Sequence, residues 1–284
     1  QLDIEAIQRR TLRVLTAGQV VGSAALSAAV TVGAFVIQDI LGQETPLGGM
    51  ATATVTVGTA FMAQVLARLM SVKGRRRGLA LGYGLALVGG LIAGLGVETS
   101  TLWIFMIGLF LFGNGQASNL LARYAATDLA EPEHRGKAMS RVMFASTFGA
   151  VFGPILIKPA ERIGEALFGW SLYTGPWIFS GLFFTFALVN VSIRLRPDPL
   201  EVAGRLGSAS GPQRSISDVL IPLRHSSASR LAVAAMVLSQ MTMVAIMTMT
   251  PVHLKIHGHE SVSAFIISLH VAGMYAFSPF IGRF

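Results

Sequence analysis

Residues 67–78 read ARLMSVKGRRRG, and five of the twelve are cations: Arg68, Lys73, Arg75, Arg76 and Arg77. The runs on either side, 47–66 and 79–97, carry no charged residue at all. A cation at the centre of a bilayer costs about 2.5–3.5 kcal/mol on insertion scales. If the flanking runs cross a membrane, the basic stretch must therefore stand in water between them. Short basic loops collect on the cytoplasmic side, so this stretch orients the rest of the chain.

The composition agrees with a bilayer as solvent. Of 284 residues, 52% are hydrophobic and 13% charged, against about 25% charged in soluble domains. The 31 glycines suit helices that pack backbone to backbone in lipid. With no cysteine, disulfides, thiolate metal sites and cysteine nucleophiles are excluded. The opening QLDIEAIQRR is polar and mixed in charge, unlike a secretory signal, and its lack of Met reads as a trimmed start.

Windows long and apolar enough to span fall at 14–37, 47–66, 79–97, 102–122, 142–157, 176–193, 231–250 and 262–280. The fifth is short, with Arg141 and Lys158 at its ends. Threading these eight in and out from a cytoplasmic N-terminus puts 19 Lys and Arg inside and only Lys158, Arg162 and Lys255 outside. The net charge of +8 is thus topological, and a nucleic-acid partner is not expected. The partner is the lipid bilayer, in a plasma (inner) membrane. Between the sixth and seventh spans, RPDPLEVAGRLGSASGPQRS is rich in Pro, Gly and Ser without apolar periodicity. The expected domains are a six-helix bundle (1–195), a cytoplasmic linker (196–229) and the first two helices of a second bundle (230–284). Gly282-Arg283-Phe284 echoes Ala67-Arg68-Leu69, as though an internal duplication begins again and four further helices lie beyond the sequence.

On these residues the chain resembles the major facilitator superfamily of secondary transporters. The family loop Gly-x-x-x-Asp-Arg-x-Gly-Arg-Arg is matched at Gly74, Arg75 and Arg76, with Ala67, Ser71 and Val72 departing from it. The stretch from Asp128 to Arg135-Gly136 is similar to the loop after the family's fourth helix. Gly149-x-x-x-Gly153-Pro154 is similar to its antiporter motif, although Ile157-Lys158 replaces the closing Gly-Gly. SPFIGRF, with Gly282 and Arg283, resembles the second copy of the loop motif, and MTMTPVHL resembles actinobacterial members. The resemblance implies an all-α polytopic fold of twelve helices with a central cavity lined by helices 1, 2, 4 and 5 of the first bundle and 7, 8, 10 and 11 of the second. It also implies a loop 67–78 that makes ion pairs holding one conformation. Asp128 is the expected counter-charge of Arg75, with Arg68 at the loop's start.

Polar residues within the spans supply the cavity candidates: Gln19 and Ser23, Thr56, Asn114, Gln116 and Asn119, Gln240 and His270. Amides left unsatisfied in lipid are costly, so these must find a partner or water. The alternative for each is packing, with hydroxyls bonding their own helix. His270 stands alone as a deep group able to take a proton near neutral pH. No Asp or Glu lies within a span, and Phe110 stands where proton-driven relatives keep an Arg, so a coupling proton or ion is an open expectation. Gly149 and Gly153 permit close packing and Pro154 a bend, which together suggest a gating helix. Five Met in the seventh span, with His253, His257 and His259 after it, read as packing and solvated loop. No phosphate loop or nucleophile–base set is present, so no enzyme activity and no cofactor is expected. The expected function is movement of a small molecule by alternating access, with export of drug-like or metabolic compounds favoured by the fifth-helix motif. The alternatives are a non-transporting membrane receptor or scaffold, and a metal permease.

Overall fold

The computed structural model describes residues 3–42, 46–207 and 225–281, and their regular structure is helical throughout. The long helices are α1 (Ile4–Leu41), α2 (Gly49–Lys73), α3 (Arg75–Glu98), α4 (Leu102–Ala125) and α5 (Arg135–Ile155). They are followed by α6 (Ile157–Phe168), α7 (Thr174–Arg194), a single turn α8 (Pro199–Val202), α9 (Ser227–Ile256), α10 (Glu260–Ala276) and the short α11 (Ser278–Ile281). Among the described residues seven helices are long and apolar enough to cross a membrane, and the bent pair α5–α6 makes an eighth.

Residues 67–78 are not a loop. α2 runs through Lys73 and α3 starts at Arg75, so Gly74 is the only non-helical residue between them. Its φ of +90° is one that a side chain would resist, and it turns the chain without an intervening loop. The basic cluster therefore rides on helix ends that project past the apolar slab. At about 1.5 Å per residue, the 25 residues of α2 are about 37 Å long, beyond the ~30 Å hydrocarbon core.

The fifth span also differs from expectation. α5 begins at Arg135, ahead of the apolar window, and reaches the length and hydropathy of a span only as a bent pair with α6. The chain then breaks at Leu156, just after Pro154, and bends 46° into α6. Pro159, in the first turn of α6, has no N–H to offer the Ile155 carbonyl and its ring crowds that carbonyl, which accounts for the break. α6 packs its Ala160 side on the start of α7 and leaves Ile163 and Leu167 exposed.

The first bundle closes through two kinds of contact. Trp177 of α7 meets Phe105 and Phe112 of α4 edge-on at 5.2 and 5.3 Å, and Phe112 meets Phe184 at 5.1 Å. Elsewhere backbone lies on backbone: a Cβ at Gly149 of α5 would stand 1.8 Å from the carbonyl oxygen of Val20 in α1. Outside this bundle, α10 rests on α5 through Ile267 and Val271 against Ala150. α9 packs on α10, with Met247 against the Ile267 and Val271 cluster, touches α1 and α2, and leaves most of its remaining surface exposed. Half of the expected linker (208–224), and Gly282 and Arg283, lie outside the described residues.

Candidate functional site

At the end of the bundle that carries Arg75, inner by the basic-residue rule, the joint between α2 and α3 is held from two sides. Arg75 grips Asp128 with two parallel bonds, Nε to Oδ2 at 2.8 Å and Nη2 to Oδ1 at 3.1 Å. Asp128 follows the end of α4, and its side chain is 3% exposed against 17% for Arg75. This fork geometry is the strong form of an ion pair. On the other side stands Asp198, just after α7. Its Oδ2 accepts from the backbone N–H of Arg76 at 2.8 Å, at the positive end of α3, while Oδ1 accepts from Leu200 N and caps α8. It sits where a Cβ at Gly74 would be, 2.5 Å from Oδ2. The Arg205 guanidinium donates to the Asp128 carbonyl oxygen and Gly207 N to the Ser71 carbonyl oxygen.

The loop acid absent from the sequence at Ser71 is thus matched by a carboxylate from beyond the sixth span. Asp198 and Arg205 escaped the sequence reading. Asp-Pro ahead of Leu-Glu-Val is a helix-start signal, but nothing local names a partner 122 residues away. Arg68, Arg135 and Gly136 are exposed and take no part in this joint.

The cavity candidates divide. Gln19 is fully buried and donates to Ser146 Oγ of α5 at 2.8 Å, with Ser23 buried one turn on. Asn119 accepts from Tyr83 Oη at 2.9 Å and fills the notch at Gly22. Asn114 is fully buried and donates to Leu111 O of its own helix. About two and a half turns separate Asn114 from Arg123, so the two leave α4 on opposite sides. Gln116 is about two turns from Arg123 and shares its face. That face looks toward the second bundle, since Arg123 lies over the ring of Tyr275 in α10.

Thr56 is exposed and bonds back to Thr52 O, while the Thr52 hydroxyl accepts from Thr248 of α9 at 3.2 Å. Gln240 and His270 are exposed, His270 about 60° and 100° around α10 from Ile267 and Val271. Gln19, Ser23, Asn114 and Asn119 are therefore enclosed among α1, α3, α4 and α5, whereas Thr56, Gln240 and His270 are exposed and Gln116 is half-buried.

Gly149 and Gly153 both lie on α1, where a Cβ at Gly153 would stand 2.3 Å from Ala24 O and from Ser27 Oγ. Just before the buried Pro154, the Val151 carbonyl oxygen accepts from Ser268 Oγ of α10 at 2.9 Å, a bond between the two bundles. Among the described residues no three His, Asp or Glu side chains converge as a metal site requires. His253 and His257 lie with ring centroids 4.2 Å apart, tilted by 35°, and Met236 and Met241 are exposed.

Helices long enough to span, glycine-notched into a bundle and meeting two further helices through hydroxyl bonds and a small apolar cluster, define a multi-pass membrane protein. The chain belongs to the Major Facilitator Superfamily, whose family model matches residues 15–284. Two uncharacterized MFS-type transporters of Bacillus subtilis, YddS and YdeG, are each 37% identical to it. The matches take in 97% and 95% of this chain and 64% and 63% of theirs. The chain spans a little under two thirds of the length of these relatives. The riboflavin transporter RfnT of Brucella anthropi is 28% identical over 97% of the chain and 66% of its own length.

Among solved structures, the human organic anion transporter MFSD10 superposes with a TM-score of 0.64 at 16% identity, over 100% of this chain and 73% of its own. The xylose transporter XylE of E. coli, in a partially occluded inward-open conformation, gives 0.57 at 18% identity, over 97% and 70%. At these identities the likeness is one of fold.

Proposed function

We propose that the protein is a secondary carrier of the plasma membrane, N-terminus inside, that moves a small molecule by rocking one bundle against the other. The observation that carries this reading is the contrast between its two kinds of interface. Within the first bundle, backbones interlock at Gly149, Gly153 and Gly58, where no side chain fits. Between the bundles the seam includes single hydroxyl bonds, Thr248 to Thr52 and Ser268 to Val151 O. Rigid halves joined by single hydroxyl bonds and one small apolar cluster, Ile267 and Val271 on Ala150, can exchange two arrangements without unfolding either.

In this reading Thr56, Gln116, Gln240 and His270 offer the solute its polar contacts, and Gln19, Asn114 and Asn119 hold the first bundle together. The bend after Pro154 and the packing of Gly149-x-x-x-Gly153 favour export as the working direction. A coupling proton would find His270 as its acceptor among the described cavity residues. The test is flux in proteoliposomes containing the full-length protein, with an imposed pH gradient and a panel of drug-like and metabolic solutes that includes riboflavin. The expected result is saturable, counter-flow-competent movement of at least one solute, altered in pH profile by His270→Ala. Absence of solute movement, together with signalling-type binding of a cytoplasmic partner, would replace the carrier by a receptor.

A further inference from the structure

Two cations bridge the bundles, one near each mouth of the seam. At the outer mouth Lys255, close to the end of α9, places Nζ 3.6 Å from Asp39 Oδ1 and 5.1 Å from the centroid of the Phe35 ring. Both partners belong to α1. At the inner mouth Arg123, close to the end of α4, holds Cζ 5.6 Å from the centroid of the Tyr275 ring on α10. Its Nε is enclosed with no hydrogen-bond partner, and no carboxylate pairs with it among the described residues. Each cation belongs to one bundle and its ring to the other, and the two bundles exchange roles between the mouths.

We propose that Lys255 on Phe35 and Asp39, and Arg123 on Tyr275, are the outer and inner clasps of the carrier. Both are closed in an occluded state and are released one at a time. This rests on the alternating-access reading above. Because each pair joins different bundles, widening a mouth must separate its cation from its ring. A contact made in only one of two states shifts their balance by its own free energy.

The chemistry suits a contact that has to break in every cycle. A guanidinium is weakly hydrated and lies well on an aromatic face, with the attraction rising as water is excluded. When Arg123 leaves Tyr275 it strands no buried carboxylate, so opening carries no penalty of an orphaned charge. Asp39 is half exposed, at 51%, and so is solvated whether or not Lys255 is near. Arg75 and Asp128 are the opposite case, a buried fork inside one bundle that no rocking motion needs to open.

The 284 residues contain no cysteine, so Gln116→Cys, midway along α4 on the face of Arg123, is the one reporter thiol among them, and any cysteine elsewhere in the full-length protein is first replaced by serine. The full-length protein carrying it is labelled with a membrane-impermeant maleimide in right-side-out and in inside-out vesicles. Tyr275→Leu is expected to raise the labelling rate from the inside about two- to thirtyfold, while Tyr275→Phe, which keeps the ring, stays near the parent. Lys255→Met is expected to do the same from the outside and Lys255→Arg to spare it. Arg123→Met against Arg123→Lys repeats the inner comparison should Tyr275→Leu fold poorly.

Equal rates in the Leu and Phe variants, or a rise on both sides from either single change, would overturn the clasps while leaving the carrier intact. A reporter reached from one side only in every variant, the parent included, would overturn alternating access itself and the clasps with it.

Discussion

Gly149→Leu is expected to lower the stability of the solubilised protein by about 3 kcal/mol or more, or to prevent its accumulation in the membrane. The reason is geometric. A Cβ at residue 149 would stand 1.8 Å from the carbonyl oxygen of Val20 and 2.9 Å from the backbone N of Ala24. Both obstacles are backbone of α1, so no rotamer change relieves them, and α5 has to be pushed off its neighbour. Gly153, one turn on, is under the same restraint. α1 in turn packs on α7 and α4, so the displacement spreads through the bundle.

Gly84→Ala is the control. Its Cβ would meet only Leu188 Cδ2, at 3.9 Å, and in mid-helix alanine is favoured over glycine by about 0.5–1 kcal/mol. Thermal unfolding in detergent, followed by loss of monodisperse protein, should separate the two variants widely. A Gly149→Leu protein as stable as Gly84→Ala would show that α1 and α5 are not in backbone contact.

The second large effect concerns the joint between α2 and α3. Arg75→Ala is expected to cost about 3–5 kcal/mol, because it leaves the Asp128 carboxylate, 3% exposed, without its counter-charge. Asp128→Leu is expected to fall in the same range. The double change Arg75→Met with Asp128→Leu should cost less than either single change, since it removes the stranded charge along with the pair. A charge exchange, Arg75→Asp with Asp128→Arg, should recover part of the loss. Strict additivity of the single changes, read from denaturation midpoints, would mean that the two side chains do not interact.

The sequence carried the membrane class and the number of spans, because each depends on charge and hydropathy summed over many residues, and of the joint between α2 and α3 it carried only the Arg75–Asp128 pair. The arrangement of residues 67–78 was less legible: a basic run between apolar runs reads as a loop whether or not the helices continue through it. Only the φ of +90° at Gly74 reveals how little is needed to turn the chain. α6 was hidden for a related reason, since its alternating Lys, Glu and Arg resemble a solvated loop while its apolar side shows only in three dimensions.

The polar residues of α4 were misleading when taken together. Asn114, Gln116 and Asn119 are close in sequence, yet about 200° and 140° of helix separate the later two from the first. One turns inward to its own carbonyl, one toward the second bundle and one into the notch at Gly22. Asp198 was out of reach for any local rule, because its partner is fixed by the closure of the whole bundle.

The most direct test of two halves rocking about their seam is a pair of spin-label distances in liposomes. One pair, at Met50 and Ile256, reports the outer mouth, and the other, at Tyr124 and Phe277, the inner; all four residues are exposed. On addition of a solute that the flux assay identifies, the two distances are expected to change in opposite senses, one mouth closing as the other opens. Distances that stay fixed, or that lengthen together, would contradict the account.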